Sequence, residues 1–211
     1  MPGDDRTPKV MKPPGMNEDA TIDAFRRGDE FAFVTLYNRY RGPVYIFCSK
    51  LLLDEDLAGD ALQETFLRVY ENRGRLLKTT AFRSWLFAIA RNQCYNAIRQ
   101  GRRTVSLGAV AEQAVTGATP ATRLERREQT ELVNRFLGQL KFEHREVLVL
   151  REYQNMSYEE IAAVTKTTVS SVKSRLFKAR RRLAGFLEPW LGSDDTHRSR
   201  TAIGITPSQE Q

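Results

Sequence analysis

The chain has 211 residues, a formal net charge of +7 and a pI near 9.6. That length suits one or two small domains, and the excess of Lys and Arg points to phosphate backbones or anionic surfaces as partners. No apolar run approaches the ~20 residues of a membrane span, the N-terminus has no signal-peptide core, and two isolated Cys with two scattered His argue against a zinc site or a disulfide framework.

Residues 1–16 are rich in Pro and Gly and are expected to form a disordered tail. From residue 17 to about 103, apolar residues recur at three- and four-residue steps, as in Phe33, Leu36, Tyr37 and Tyr40. Gly28, Gly42-Pro43 and Asn72-Arg73-Gly74 are expected to punctuate this helical block. No alternating strand pattern stands out. Within the block, Asp54, Glu55, Asp56, Asp60 and Glu64 fall in eleven residues without a Lys or Arg. Asp56, Asp60 and Glu64 stack at i, i+4 spacing, which mildly destabilises a helix. A basic protein partner would explain the stripe; a solvated acidic face would serve equally well.

The helix expected over Phe82–Arg99 has an apolar side of Phe82, Leu86, Ile89, Ala90 and Ala97. Trp85, Asn92, Asn96 and Arg99 align on another stripe, with Tyr95 beside them and Arg102 and Arg103 following. Rings stack on unpaired bases, amides read base edges and Arg holds phosphate, so this alignment suits single-stranded nucleic acid. Taken singly, Trp85 and Tyr95 also fit a partly buried core.

Between Thr104 and Thr122 the chain holds one charged residue, Glu112, amid densely charged neighbours, and residues 104–126 read as a linker. A second helical block follows over about 127–190, with helices near 125–140, 143–153, 157–164 and 168–188. Ser157 and Glu160 have capping-box spacing. The last helix puts Val169, Val172, Leu176, Ala179 and Leu183 on one inward stripe. Ser170, Ser174, Phe177, Lys178 and Arg181 lie opposite, flanked by Ser171, Lys173, Arg175 and Arg182. From Lys166 to Arg182 there are seven Lys/Arg and no Asp/Glu. Two short helices joined by a tight turn, the second basic, suit a DNA major groove. Phe177 on the polar side suits a thymine methyl, or packing on a neighbouring helix. Residues 191–211 read as a loose tail.

The fold expected is therefore all-α: two small helical domains on a flexible linker, the second a helix-turn-helix. Its residues resemble, over nearly all of 20–190, the extracytoplasmic-function (ECF) sigma factors of bacterial RNA polymerase. DALQETFLRVY, FRSWLFAIARNQCYNAIRQGRR and MSYEEIAAVTKTTVSSVKSRLFKARRRL carry the resemblance, in the family's order and spacing. The resemblance implies that residues 17–103 are sigma region 2 and residues 127–190 region 4. It implies that Asp56, Asp60, Gln63 and Glu64 dock on the polymerase clamp helices. Trp85, Asn92, Tyr95, Asn96, Arg99, Arg102 and Arg103 would melt and read the −10 element, with the 71–80 loop lining a pocket for a flipped base. Ser170, Ser171, Lys173, Ser174, Phe177, Lys178 and Arg181 would face the −35 duplex. Core polymerase, promoter DNA and an anti-sigma factor are the partners implied, in the cytoplasm, with no cofactor and no catalysis. Lys166 stands where the family usually has Gly, and Lys141-Phe142 replaces a Pro-containing helix start. The other reading is a stand-alone helix-turn-helix regulator, which needs neither the acidic stripe nor the aromatic–amide helix.

Overall fold

The computed structural model describes the backbone of residues 18–104 and 120–187, and side chains over 18–100 and 130–186. The expected tails, most of the expected linker, and the side chains of Arg102 and Arg103 lie outside the described residues. Within them the chain is helical, without a strand. α1 (Glu18–Arg26), α2 (Glu30–Leu52), α3 (Glu55–Glu71) and α4 (Phe82–Thr104) form the first domain. Two single 3₁₀ turns, Arg73–Arg75 and Thr79–Ala81, bridge α3 and α4. α5 (Pro120–Gln139), α6 (Phe142–Glu152), α7 (Tyr158–Thr165) and α8 (Val169–Leu187) form the second.

Local chemistry sets these boundaries. Asp29 caps α2 by accepting from the Ala32 N–H at 3.0 Å, and Asp54 caps α3 by accepting from Leu57 at 2.9 Å. Between them Leu53 takes a left-handed conformation, φ 60°, and its N–H closes on the Ser49 carbonyl. Gly42-Pro43 does not punctuate the chain as expected; α2 runs straight through it. Proline removes one helix hydrogen bond, but Leu36 before it and Val44, Phe47, Cys48 and Leu51 after it are all buried on one core. Burial of each large apolar side chain contributes about 1.5–3 kcal/mol, enough together to outweigh that loss.

The first core is aromatic. Phe47 meets Phe87 edge-on at 5.4 Å between ring centroids, Phe25 meets Phe82 at 6.2 Å, and Tyr37 meets Phe66 at 4.8 Å. Cys48 and Cys94 are fully buried. The hydrogen bond with the Cys48 thiol, and then burial, push Cys94 well above the ordinary thiol range. The second core joins Leu137, Val147, Leu150, Met156, Ile161, Val164, Val172, Leu176 and Ala179. The inward stripe expected of α8 is thus its buried face, with Val169 and Leu183 at its half-buried ends.

The two cores join. α4 packs on α7, and α2 packs on α6. Gln154, almost wholly buried, donates its amide to the Pro43 carbonyl at 3.1 Å, and Arg145 donates to the Leu51 carbonyl at 2.7 Å. Lys50 donates to Asn134 at 2.9 Å.

Candidate nucleic-acid and polymerase interfaces

Three surfaces carry the residues singled out by sequence. The helix-turn-helix of α7 and α8 is the most regular. Ser157 accepts from the Glu160 N–H at 3.1 Å, while the Glu160 carboxylate accepts from the Ser157 N–H at 2.7 Å, completing the capping box. Lys166 ends α7 in the left-handed region, φ 54°, where a Gly would meet no Cβ penalty. Asn155 also has positive φ, 50°. Thr168 opens α8 by accepting from the Ser171 N–H at 3.2 Å. The buried stripe of α8 turns the other face outward. Ser170, Lys173, Ser174, Phe177, Lys178 and Arg181 are exposed, and Ser171 is half-buried. Phe177 is 51% exposed and so does not pack into a core. Lys173 sits 5.6 Å from the Tyr158 ring centroid, which fixes its stem across the turn.

The second surface lies on α4. Asn92, Asn96 and Arg99 are exposed. Trp85 is half-buried, its ring tilted against Phe82 at 6.1 Å, so its placement serves the core as well as the surface. Tyr95 is 52% exposed, but its ring meets Phe142 of α6 edge-on at 6.0 Å. Next to this surface, in the 71–80 connection, Leu76 is buried and anchors a loop whose Leu77 points out to solvent at 85% exposure.

The third surface lies on α3. Asp56, Asp60 and Gln63 are exposed and Glu64 half-buried. Glu64 accepts from Arg68 at 2.8 Å, one turn beyond the acidic run, which relieves part of the repulsion along the stripe. Sequence reasoning missed what adjoins it. Phe33, Val34, Tyr37, Phe66, Leu67 and Tyr70 line an open apolar groove of about 590 Å³ between α2 and α3. Leu67 is 51% exposed on the helix that bears the acids. Its signal was a Leu two turns after Asp60 and one turn after Glu64.

Sequence reasoning also missed Glu146. It lies on α6 with no exposed surface, immediately before the apolar run Val147–Leu150. Arg91 of α4 donates to it through Nε at 2.5 Å and Nη2 at 3.4 Å, and Arg175 of α8 donates through Nη1 at 3.4 Å. Desolvation pushes the Glu146 carboxyl above its ordinary range, and the two guanidinium groups pull it back down less strongly. A Glu at the head of a run of aliphatics was the available sequence signal; its partner fifty-five residues away was not visible.

The comparisons with known proteins match this layout. Sigma-70 region 2 matches residues 36–104, and Sigma-70 region 4 matches residues 130–183. The chain belongs to the ECF sigma factors of the sigma-70 family. It is 31% identical to the RNA polymerase sigma-H factor of Pseudomonas aeruginosa, over 81% of this chain and 93% of that one. It is 30% identical to the ECF RNA polymerase sigma-E factor of Escherichia coli K12, over 82% of this chain and 96% of that one. Among solved structures, it resembles CnrH in complex with the cytosolic domain of CnrY, with a TM-score of 0.64, 26% identity, and coverage of 82% of this chain and 97% of that one. The sigma factor RpoE bound to the anti-sigma factor NepR from Bartonella quintana shares the fold, with a TM-score of 0.60 at 24% identity, over 74% of this chain and 96% of that one. Among the described residues no helix is long and apolar enough to cross a membrane, and no cluster of His, Cys, Asp and Glu could hold a metal.

Proposed function

We propose that this chain is an alternative sigma factor that binds core RNA polymerase in the cytoplasm and directs promoter-specific initiation, with the chemistry left to the polymerase. The observation that carries this reading is one chain with two reading faces of different character. The α8 face is basic and hydroxyl-rich, suited to duplex phosphates and major-groove edges. The α4 face offers amides, arginine and half-exposed rings, suited to unpaired bases.

In this reading Ser170, Ser171, Lys173, Ser174, Phe177, Lys178 and Arg181 face the −35 element. Trp85, Asn92, Tyr95, Asn96 and Arg99, with Arg102 and Arg103, face the −10 element. A base unstacked there costs a few kcal/mol, which stacking and edge contacts offset. Asp56, Asp60, Gln63 and Glu64 meet a basic helical surface of the polymerase, and the groove beside Leu67 takes its apolar side chains. An anti-sigma factor that occupies these surfaces is the natural antagonist; RpoE of Bartonella quintana is held by the anti-sigma factor NepR, and CnrH by the cytosolic domain of CnrY.

Run-off transcription with core polymerase tests the reading. Addition of the chain is expected to give discrete start sites on genomic fragments. A folded chain that forms no complex with core at low salt would overturn it and favour the stand-alone regulator.

A further inference from the structure

The interface between the domains is built from matched pairs. Arg91 and Tyr95 stand one turn apart on α4; Phe142 and Glu146 stand one turn apart on α6. Arg91 meets Glu146, Tyr95 meets Phe142, and the Arg91 guanidinium lies 5.9 Å from the Phe142 ring centroid. Arg83, lower on α4, donates to the Gln154 carbonyl and pairs with Glu160 of α7 at 3.6 Å. Glu146 also holds Arg175 of the reading helix α8. One buried carboxylate thus touches an arginine on each of the two helices that bear the reading faces.

This arrangement is too short for a promoter. The −10 and −35 elements are centred about 25 base pairs apart, or ~85 Å at 3.4 Å per base pair of B-DNA. A compact body of the size of the described residues has a radius of gyration of only ~15 Å. Both faces can meet their elements at once only after α4 and α6 part.

We propose that Glu146, paired across the interface with Arg91, is the electrostatic latch of a closed, promoter-incompetent form of this sigma factor. The incompetence of the closed form rests on the sigma reading; the latch does not. Opening leaves Arg175 with Glu146 inside the second domain and frees Arg91 and Tyr95 beside the −10 face. A buried ion pair is a particular kind of latch. Replacing both partners by apolar groups is often neutral, whereas removing the cation alone strands a buried charge. Arg91 and Glu146 are therefore expected to behave asymmetrically and to rescue one another.

Small-angle scattering of the full chain, without DNA or polymerase, reads the latch directly. The wild type is expected to be compact. Arg91→Met keeps the stem against Phe142 and removes the charge; it is expected to expand the molecule with unchanged helix content by circular dichroism. Arg91→Met with Glu146→Leu is expected to return it to the compact dimensions. Arg91→Ala, which removes the stem as well, is expected to expand the chain in the same way. Arg91 variants as compact as the wild type, or a double variant as expanded as Arg91→Met, would overturn the latch. Binding to core polymerase tests the incompetence separately. Closure lowers apparent affinity by the fraction of open molecules, so Arg91→Met is expected to bind core more tightly than wild type. An expanded variant that binds core no more tightly contradicts the incompetence; absence of core binding by both proteins would instead overturn the sigma reading.

Discussion

α8 and α4 both carry a surface proposed to face DNA, yet the fold treats them differently. The outer face of α8 is exposed, with Lys173 resting on the Tyr158 ring, and its basic and hydroxyl groups stand ready in solvent. The face of α4 is shared. Trp85 leans on the first core and Tyr95 on the second domain, while Asn92, Asn96 and Arg99 remain exposed. A duplex-binding helix needs only to present charge and edges to an existing groove. A strand-opening helix must hold rings and amides in place before the bases arrive, and rings held in place need neighbours. The difference teaches that readiness and preorganisation are supplied by different contacts: capping and a buried stripe for α8, aromatic packing for α4.

The largest effect is expected away from both faces. Asp60→Lys places a cation in the acidic stripe without touching the core. Like charges across an interface cost several kcal/mol, and at ~1.4 kcal/mol per factor of ten core polymerase affinity is expected to fall roughly a hundredfold. Titration with labelled core checks this, and both DNA-binding activities of the free chain should be untouched.

A smaller effect separates the two helices. Asn96→Ala is expected to weaken binding to single-stranded −10 DNA by about 1–3 kcal/mol, the usual worth of a well-made amide–base contact, and to leave −35 duplex binding alone. Anisotropy with the two oligonucleotides reads both. Lys178→Ala is expected to do the reverse, lowering duplex affinity across sequences and reducing the slope of log K against log salt by about 1. A change of equal size on both probes would erase the distinction between the helices.

The smallest effect concerns the turn that sets α8 against α7. Lys166→Gly relieves a left-handed residue, worth about 1 kcal/mol before the added freedom of the unfolded chain is subtracted. Thermal unfolding is expected to show a slightly raised Tm with DNA affinity unchanged.

The local parts of this architecture were legible in the sequence. The capping box, the buried stripe of α8 and the outward Phe177 follow from short-range pattern and chemistry. What pattern could not reveal depends on distant partners. Gly42-Pro43 looked like a helix break because a local rule was applied to a segment whose burial on both sides overrode it. Glu146 looked like any glutamate until Arg91 arrived from the other domain. Glu64 looked like one member of an unrelieved acidic row, but Arg68 just beyond that row donates to it and offsets part of its charge. The apolar groove beside Leu67 exists only where α2 and α3 meet.

The central claim is the division of labour between α4 and α8, and permanganate footprinting of a promoter bound by core polymerase with this chain tests it most directly. The wild type is expected to give reactive, unpaired thymines in the −10 element together with protection of the −35 element. Asn96→Ala should lose the reactive thymines and keep the upstream protection. Lys178→Ala should lose the protection, yet regain full complex formation on a template already unpaired at −10. Loss of −35 protection by Asn96→Ala, or failure of the pre-opened template to rescue Lys178→Ala, would contradict the account.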